Sequence, residues 1–223
     1  ALAAIGYAKA KLRRQIMIAT TSVGPGATNM VTAAGVAHSN RLPVLLLSGD
    51  TYNNRLPDPV LQQVEHFGEP STTVNDSFRS VSRYWDRITH PAQILSSLPQ
   101  AVATMMDPAD CGPAFIGLPQ DVQEIAYDYP VEFFTETTWR MTRSRPDLQQ
   151  VDEAVKILKM AKKPLIISGG GVRYSGAVEA LVKFAEQRMI PVAETIAGKG
   201  AFVHDHPFYV GAIGIEGTDA AKE

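Results

Sequence analysis

The stretch TTSVGPGATNM, residues 20–30, decides how this chain is read. A short apolar run ends there, two glycines flank a proline, and helix-forming residues follow. Such a loop joins the C-terminal end of a strand to the N-terminus of a helix. Open α/β sheets hold ligands at that point, where backbone N–H groups lie free. A Walker-type phosphate loop needs Lys and then Ser or Thr after its last glycine, whereas Gly26 is followed by Ala27, Thr28 and Asn29. The dinucleotide fingerprint needs glycine or alanine where Asn29 stands, so that reading fails as well.

Outward from this loop the chain alternates between two periodicities. Residues 15–21, 43–49 and 112–119 are short, continuous apolar runs of the kind buried in parallel sheets. Residues 80–88 alternate and predict a further strand. Residues 27–37 are helix-compatible, and Ile94, Leu95, Leu98, Val102, Met105 and Met106 mark one face of a helix from about Pro91 onward. Residues 57–70 read as a proline-bounded surface segment with one helical turn. Residues 128–147 lose all periodicity and predict a linker. The alternation then resumes. Val151, Ala154, Val155 and Leu158 mark a helix, residues 164–168 a strand, Ala177, Ala180, Leu181, Phe184 and Ala185 a helix, and residues 190–195 a strand. The expected class is α/β, with three-layer parallel sheets carrying helices on both faces. The expected division is 1–127, a linker over 128–147, and 148–223.

Composition narrows the function classes. Lys and Arg number 21 against 23 Asp and Glu, a net charge of −2 that offers no basic surface for nucleic acid or for an anionic membrane. The apolar runs are far shorter than a membrane span. The single Cys111 leaves no internal disulfide and fits a reducing compartment. Before the Gly-Pro of a buried strand it reads as a small packing residue rather than a reactive thiol. Residues 1–12 begin at once with helix formers and no capping residue, while Thr218 opens a helix that stops about a turn later. The chain is therefore expected to be an internal fragment of a longer protein.

The wider context gives the loop a more particular meaning. GYAKA at 6–10, GPGATN at 24–29 and PVLLLSGD at 43–50 together resemble the thiamine-diphosphate-dependent enzymes of the acetolactate-synthase-like superfamily. CGPAFIGLPQDVQ at 111–123 is similar to the strand that ends their pyrimidine-binding domain. Residues 161–177 and 190–218 are similar to the first part of their central domain. Within the superfamily, residues 58–94 resemble the C–C hydrolases of myo-inositol catabolism, which add water across a bond of a trihydroxycyclohexane-1,2-dione to give a 5-deoxy-glucuronic acid. SGDTYN at 48–53 departs from the TGQVP strand end of the acetolactate synthases. The alternatives are an acetolactate-synthase-like carboligase or decarboxylase, and a non-catalytic regulatory fragment.

The resemblance implies thiamine diphosphate and Mg²⁺ as cofactors of the whole protein, a small cyclic diketone as substrate, a cytoplasmic setting, and self-association as a homodimer or homotetramer. It implies that the glutamate activating the cofactor lies N-terminal to Ala1, and that the diphosphate and Mg²⁺ motif lies in a third domain. The chain alone is then expected to bind no cofactor and to be inactive, with no catalytic and no metal residue of its own. Gly24, Pro25, Gly26 and Asn29 are expected to border the aminopyrimidine ring, small residues letting backbone approach it closely. Gln62 is the expected substrate residue, with Gln63 open as the alternative.

Other candidates have a plainer reading beside the chemical one. Arg83 is a cleft arginine or an ion-paired strand residue. His204 and His206 flank Asp205 as a metal pattern or as a turn before Pro207. His66 beside Glu65 is an acid–base pair or a surface pair. His38 and His90 stand near helix boundaries with no visible constellation. Gly169, Gly170 and Gly171 form a nucleotide groove or a structural turn.

Overall fold

A computed structural model describes every residue except 58, 59, 61, 65, 216 and 223. The chain divides into two compact units, Ala1–Thr142 and Arg143–Glu223, each with its own parallel sheet.

In the first unit the order along the chain is α1 (Leu2–Ala10), β1 (Ile18–Thr21), α2 (Pro25–Asn40), β2 (Val44–Asp50), β3 (Tyr84–Arg87), α3 (Ile94–Met106), β4 (Pro113–Pro119) and the single turn α4 (Gln120–Gln123). The sheet order is β1-β2-β4-β3, all parallel. The two central strands are the two longest apolar runs, and most residues in each are buried. Strands covered on both faces need such continuous sequences. Leu45, Ala114, Ile116, Ile88 and Val122 form the core on one face, where α3 contributes Ala101 and Met105. Phe115 projects to the other face and stacks on Phe78 with ring centroids 4.2 Å apart.

The strand expected over residues 80–88 is shorter, Tyr84–Arg87. The preceding segment is held instead as a 3₁₀ helix, Val74–Ser80, by a reciprocal cap. Thr73 accepts from the Asn75 N–H, and Asp76 accepts from the Thr73 N–H at 2.8 Å. Cys111 is buried, and its Sγ donates to the Met105 carbonyl at 3.2 Å. Burial pushes its thiol up to about 11, so it stays protonated and unreactive at neutral pH.

The second unit contains α5 (Leu148–Met160), β5 (Ile166–Ser168), α6 (Gly170–Tyr174), α7 (Val178–Arg188), β6 (Val192–Glu194), β7 (Tyr209–Ala212) and α8 (Asp219–Lys222), with sheet order β5-β6-β7. Ala185, Val192, Ala201 and Phe202 form its core. Strand β7 and helix α6 are too short for the periodicity to announce. The Glu194 carboxylate is buried and accepts the backbone N–H groups of Gly200, Ala201 and Phe202, at 3.3, 2.7 and 2.9 Å. It thereby holds the loop after β6 to the end of the strand. Among the described residues no helix is long and apolar enough to cross a membrane.

Candidate functional site

Strand β1 delivers the chain into the Gly-Pro-Gly loop, and α2 starts at Pro25. Gly24 occupies the cap position at φ +72°, a left-handed conformation in which a side chain is strained. A Cβ there would also run into the carbonyl of Gln62, and one on Gly26 would meet Thr21 Oγ1 at 2.5 Å. Both glycines are thus already demanded by close approaches within the chain. Gln62 and the loop are brought together a second time, because the Ser22 hydroxyl donates to Gln62 Oε1 at 3.3 Å. Asn29 stands one turn into α2 and is exposed, away from this contact.

A groove of about 280 Å³ opens where β1, β2 and β4 end, lined by Thr21, Ser22, Val23, Ser48, Asp50 and Gln123 among others. This is the position at which parallel sheets receive ligands. Its floor is fixed by an ion network centred on Arg87 at the end of β3. Arg87 Nε donates to the fully buried Asp50 at 2.7 Å, and Nη2 donates to Thr73 Oγ1 and Asp76 at 2.7 and 2.8 Å. Asn75 Nδ2 donates to the Gly49 carbonyl at 2.9 Å, and Asp50 in turn accepts the Thr51 N–H. Partial burial alone would raise the Asp76 carboxyl. Hydrogen bonds from Arg79, the Thr73 N–H and Arg87 outweigh that and hold it at about 2. Arg79 also lies over the Trp85 ring, 3.5 Å from its centroid.

Beyond the groove the chain turns over residues 52–55. The Asp121 carboxylate, at the start of α4, accepts the N–H groups of Asn53 and Asn54, both at 2.9 Å. Arg55 closes the turn onto the Tyr52 carbonyl with φ +58°. This turn forms one side of a second cavity of about 180 Å³, lined by Thr51, Tyr52, Arg55, Gln63, His66 and Phe67 among others. Gln62 therefore faces the glycine loop while its neighbour Gln63 lines the cavity. His66 reaches the same cavity; its suggested partner Glu65 lies outside the described residues. Sequence reasoning missed Arg87, Asp50 and Asp121, whose partners lie tens of residues away, and Arg55, an isolated charge on a turn.

The remaining candidates sit elsewhere. Arg83 precedes β3 at its opposite end from the groove and pairs with Asp110 at 3.0 Å. His206 accepts the Phe208 N–H on Nδ1, so its Nε2 carries the proton that meets Glu186 at 3.1 Å. His90 caps the turn Pro91–Gln93 by accepting the Ala92 N–H. His38 lies in the last turn of α2, and Gly169 caps the short α6. Among the described residues no group of three or more His, Cys, Asp or Glu side chains is placed to hold a metal.

Comparison with known proteins accounts for nearly the whole chain. Residues 1–68 match the family described as thiamine pyrophosphate enzyme, N-terminal TPP binding domain, and residues 151–223 match thiamine pyrophosphate enzyme, central domain. A 3D-(3,5/4)-trihydroxycyclohexane-1,2-dione hydrolase of Geobacillus thermodenitrificans is 53% identical over 220 residues, covering 99% of this chain and 34% of that protein. Its namesakes in Clostridium tetani and Bacillus cereus (strain AH820) are 50% and 49% identical, covering 100% and 99% of this chain and 34% of each relative. The chain thus spans about a third of the length of the curated relatives it matches.

Proposed function

Since the chain belongs to the thiamine pyrophosphate enzymes, with part of the N-terminal TPP-binding domain followed by part of the central domain, we propose that it is a piece of a hydrolase that opens a trihydroxycyclohexane-1,2-dione. The carrying observation is identity of about half along essentially its full length to relatives of that name. The reaction adds water across the bond between two adjacent carbonyl carbons. One carbon gains hydroxyl and becomes a carboxylate, the other gains hydrogen, and the ring becomes a 5-deoxy-glucuronic acid.

When bound, the cofactor supplies a carbon nucleophile for a carbonyl and a sink for the electron pair released as the carbon–carbon bond breaks. The groove at the strand ends fits the wall of its aminopyrimidine ring, with hydroxyls from Thr21, Ser22 and Ser48 beside apolar Val23. Gly24, Pro25 and Gly26 form the edge of that wall, with Asn29 one turn further on. Gln62, tied to the glycine loop, is the residue of this chain proposed to meet substrate. The division we propose is 1–127, a linker over 128–147, and 148–223.

The diphosphate and Mg²⁺ are assigned to parts of the longer protein. That protein is proposed to be cytoplasmic and to work as a homodimer or homotetramer, and the 223-residue chain alone is proposed to bind little cofactor. The test is product analysis. The full-length protein, supplied with thiamine diphosphate and Mg²⁺, is expected to convert the cyclic dione to an open-chain acid and to leave pyruvate unchanged. Acetolactate or acetaldehyde formed from pyruvate, with the dione untouched, would overturn the proposal.

A further inference from the structure

We propose that the cavity walled by Arg55, Gln63, His66 and Phe67 is the subsite that recognises the ring oxygens of a small polyoxygenated cyclic ketone, with Arg55 setting specificity. This rests on the ring-opening reading, which leaves Gln63 open as an alternative to Gln62 and assigns Arg55 no role.

Among the described residues the cavity's lining is rich in hydrogen-bond donors and carries no carboxylate. A guanidinium, an imidazole, a phenol, a side-chain amide and two threonine hydroxyls line it. Arg55 makes no ion pair among the described residues. Gln63 Nε2 is buried without a hydrogen-bond partner among the described residues. A buried donor left unpaired is unfavourable, and native structures rarely keep one without a ligand or water to meet it. An occupant that brings acceptors would meet these donors. Phe67, Pro57 and Pro70 add apolar surface suited to the C–H faces of a ring. At about 180 Å³ the cavity falls below the roughly 300 Å³ at which sites for drug-sized ligands begin, so a nucleotide is too large and a single substituted ring fits.

The backbone turn that carries Arg55 is held from both sides. Asp121 accepts two successive N–H groups of the turn, and Asn54 Oδ1 accepts the Leu56 N–H at 2.8 Å. Position ties the cavity to the cofactor wall. Asp50 lines the groove and Thr51 the cavity, while Gln62 meets the glycine loop and Gln63 the cavity. A ring held here lies one residue away, along two separate segments, from the groove proposed for the aminopyrimidine. A bound carbonyl would take the guanidinium's donors, and ring hydroxyls the amide and the imidazole.

The experiment uses the full-length protein with Arg55→Gln, Arg55→Lys and Gln63→Leu, all checked for a wild-type circular dichroism spectrum. Arg55→Gln is expected to raise KM for the cyclic dione about tenfold with kcat little changed, since one charged hydrogen bond is lost. Arg55→Lys should recover part of that. Gln63→Leu should raise KM while melting no lower than wild type, because it removes an unpaired donor. An unchanged KM in Arg55→Gln and Gln63→Leu would overturn the assignment. If wild type fails to open the dione, the ring-opening reading falls by itself and the subsite is read by binding. Titration with myo-inositol, a non-reactive cyclic polyol, is then expected to shift the Gln63 side-chain amide resonances, and pyruvate is not. Absence of a shift with myo-inositol overturns the subsite.

Discussion

Single residues here answer to constraints that the local sequence does not display. Gly24 is the clearest case, because its conformation and its neighbour both exclude a side chain. Gly24→Ala is expected to destabilise the protein by about 1–2 kcal/mol from backbone strain alone, and by more once the Gln62 carbonyl is displaced. Urea unfolding measures the loss. Arg87 is held on one side by a carboxylate with no exposure. Arg87→Ala leaves Asp50 charged and unpaired, and stability should fall by about 3 kcal/mol or more, whereas Asp50→Asn in the same background should restore part of it. Asp76 carries a pH signature. Its folded value, about 2, lies below the ordinary 3.8, so its contribution is complete above the unfolded value and is lost as the pH falls toward 2. The stability gap between wild type and Asp76→Asn should therefore be full at neutral pH and close between about pH 5 and pH 2.

At the scale of elements, legibility followed how far the physics is local. Strands β2 and β4 were readable because a run such as VLLL or AFI is burial on both faces written along one segment. The strand-to-helix loop was readable because Gly-Pro-Gly is a backbone statement. The length of β3 was not, since a cap between Thr73 and Asp76 claims the chain as far as Ser80. The wall near Gly24 was partly legible as a motif, but its packing against Gln62 joins positions 38 residues apart. The Asp121 contact is more distant still, with sequence separations of 68 and 67 to the amides it holds. Asp121 follows a Pro-Gln that reads as a strand end, and nothing near it suggests the turn it supports. Asp121→Ala is expected to free the Asn53 and Asn54 amides, which amide hydrogen exchange would detect as faster exchange confined to that turn. A stability loss of about 1.5–3 kcal/mol should accompany it, the range for hydrogen bonds to a charged group. Protection of strand β4 should be unchanged.

Across the whole molecule the two units are unequal in what they bury. The first has two central strands and a helix stripe enclosed around Leu45, Ile116 and Met105. The second has a smaller described core, around Ala185, Val192, Ala201 and Phe202. Its α5 has the apolar periodicity of a core helix, yet none of its residues is buried, and Leu148 and Met160 are 79% and 74% exposed. Residues 135–147, across the boundary of the two units, form neither helix nor strand, and they hold Arg140, Arg143 and Arg145. Backbone without hydrogen-bonded structure is where proteases cut first. Brief trypsin treatment is expected to cleave at these arginines before any site in β2 or β4, releasing a first unit that keeps its melting transition. Helix α5 buries none of its residues, and an isolated helix of 13 residues is marginal in water. Its amides should therefore exchange within the fastest class of the second unit, ahead of those in β6 where Glu194 fastens the following loop. Slow exchange throughout α5 would show that its apolar stripe is covered in solution, against the exposure of Leu148 and Met160.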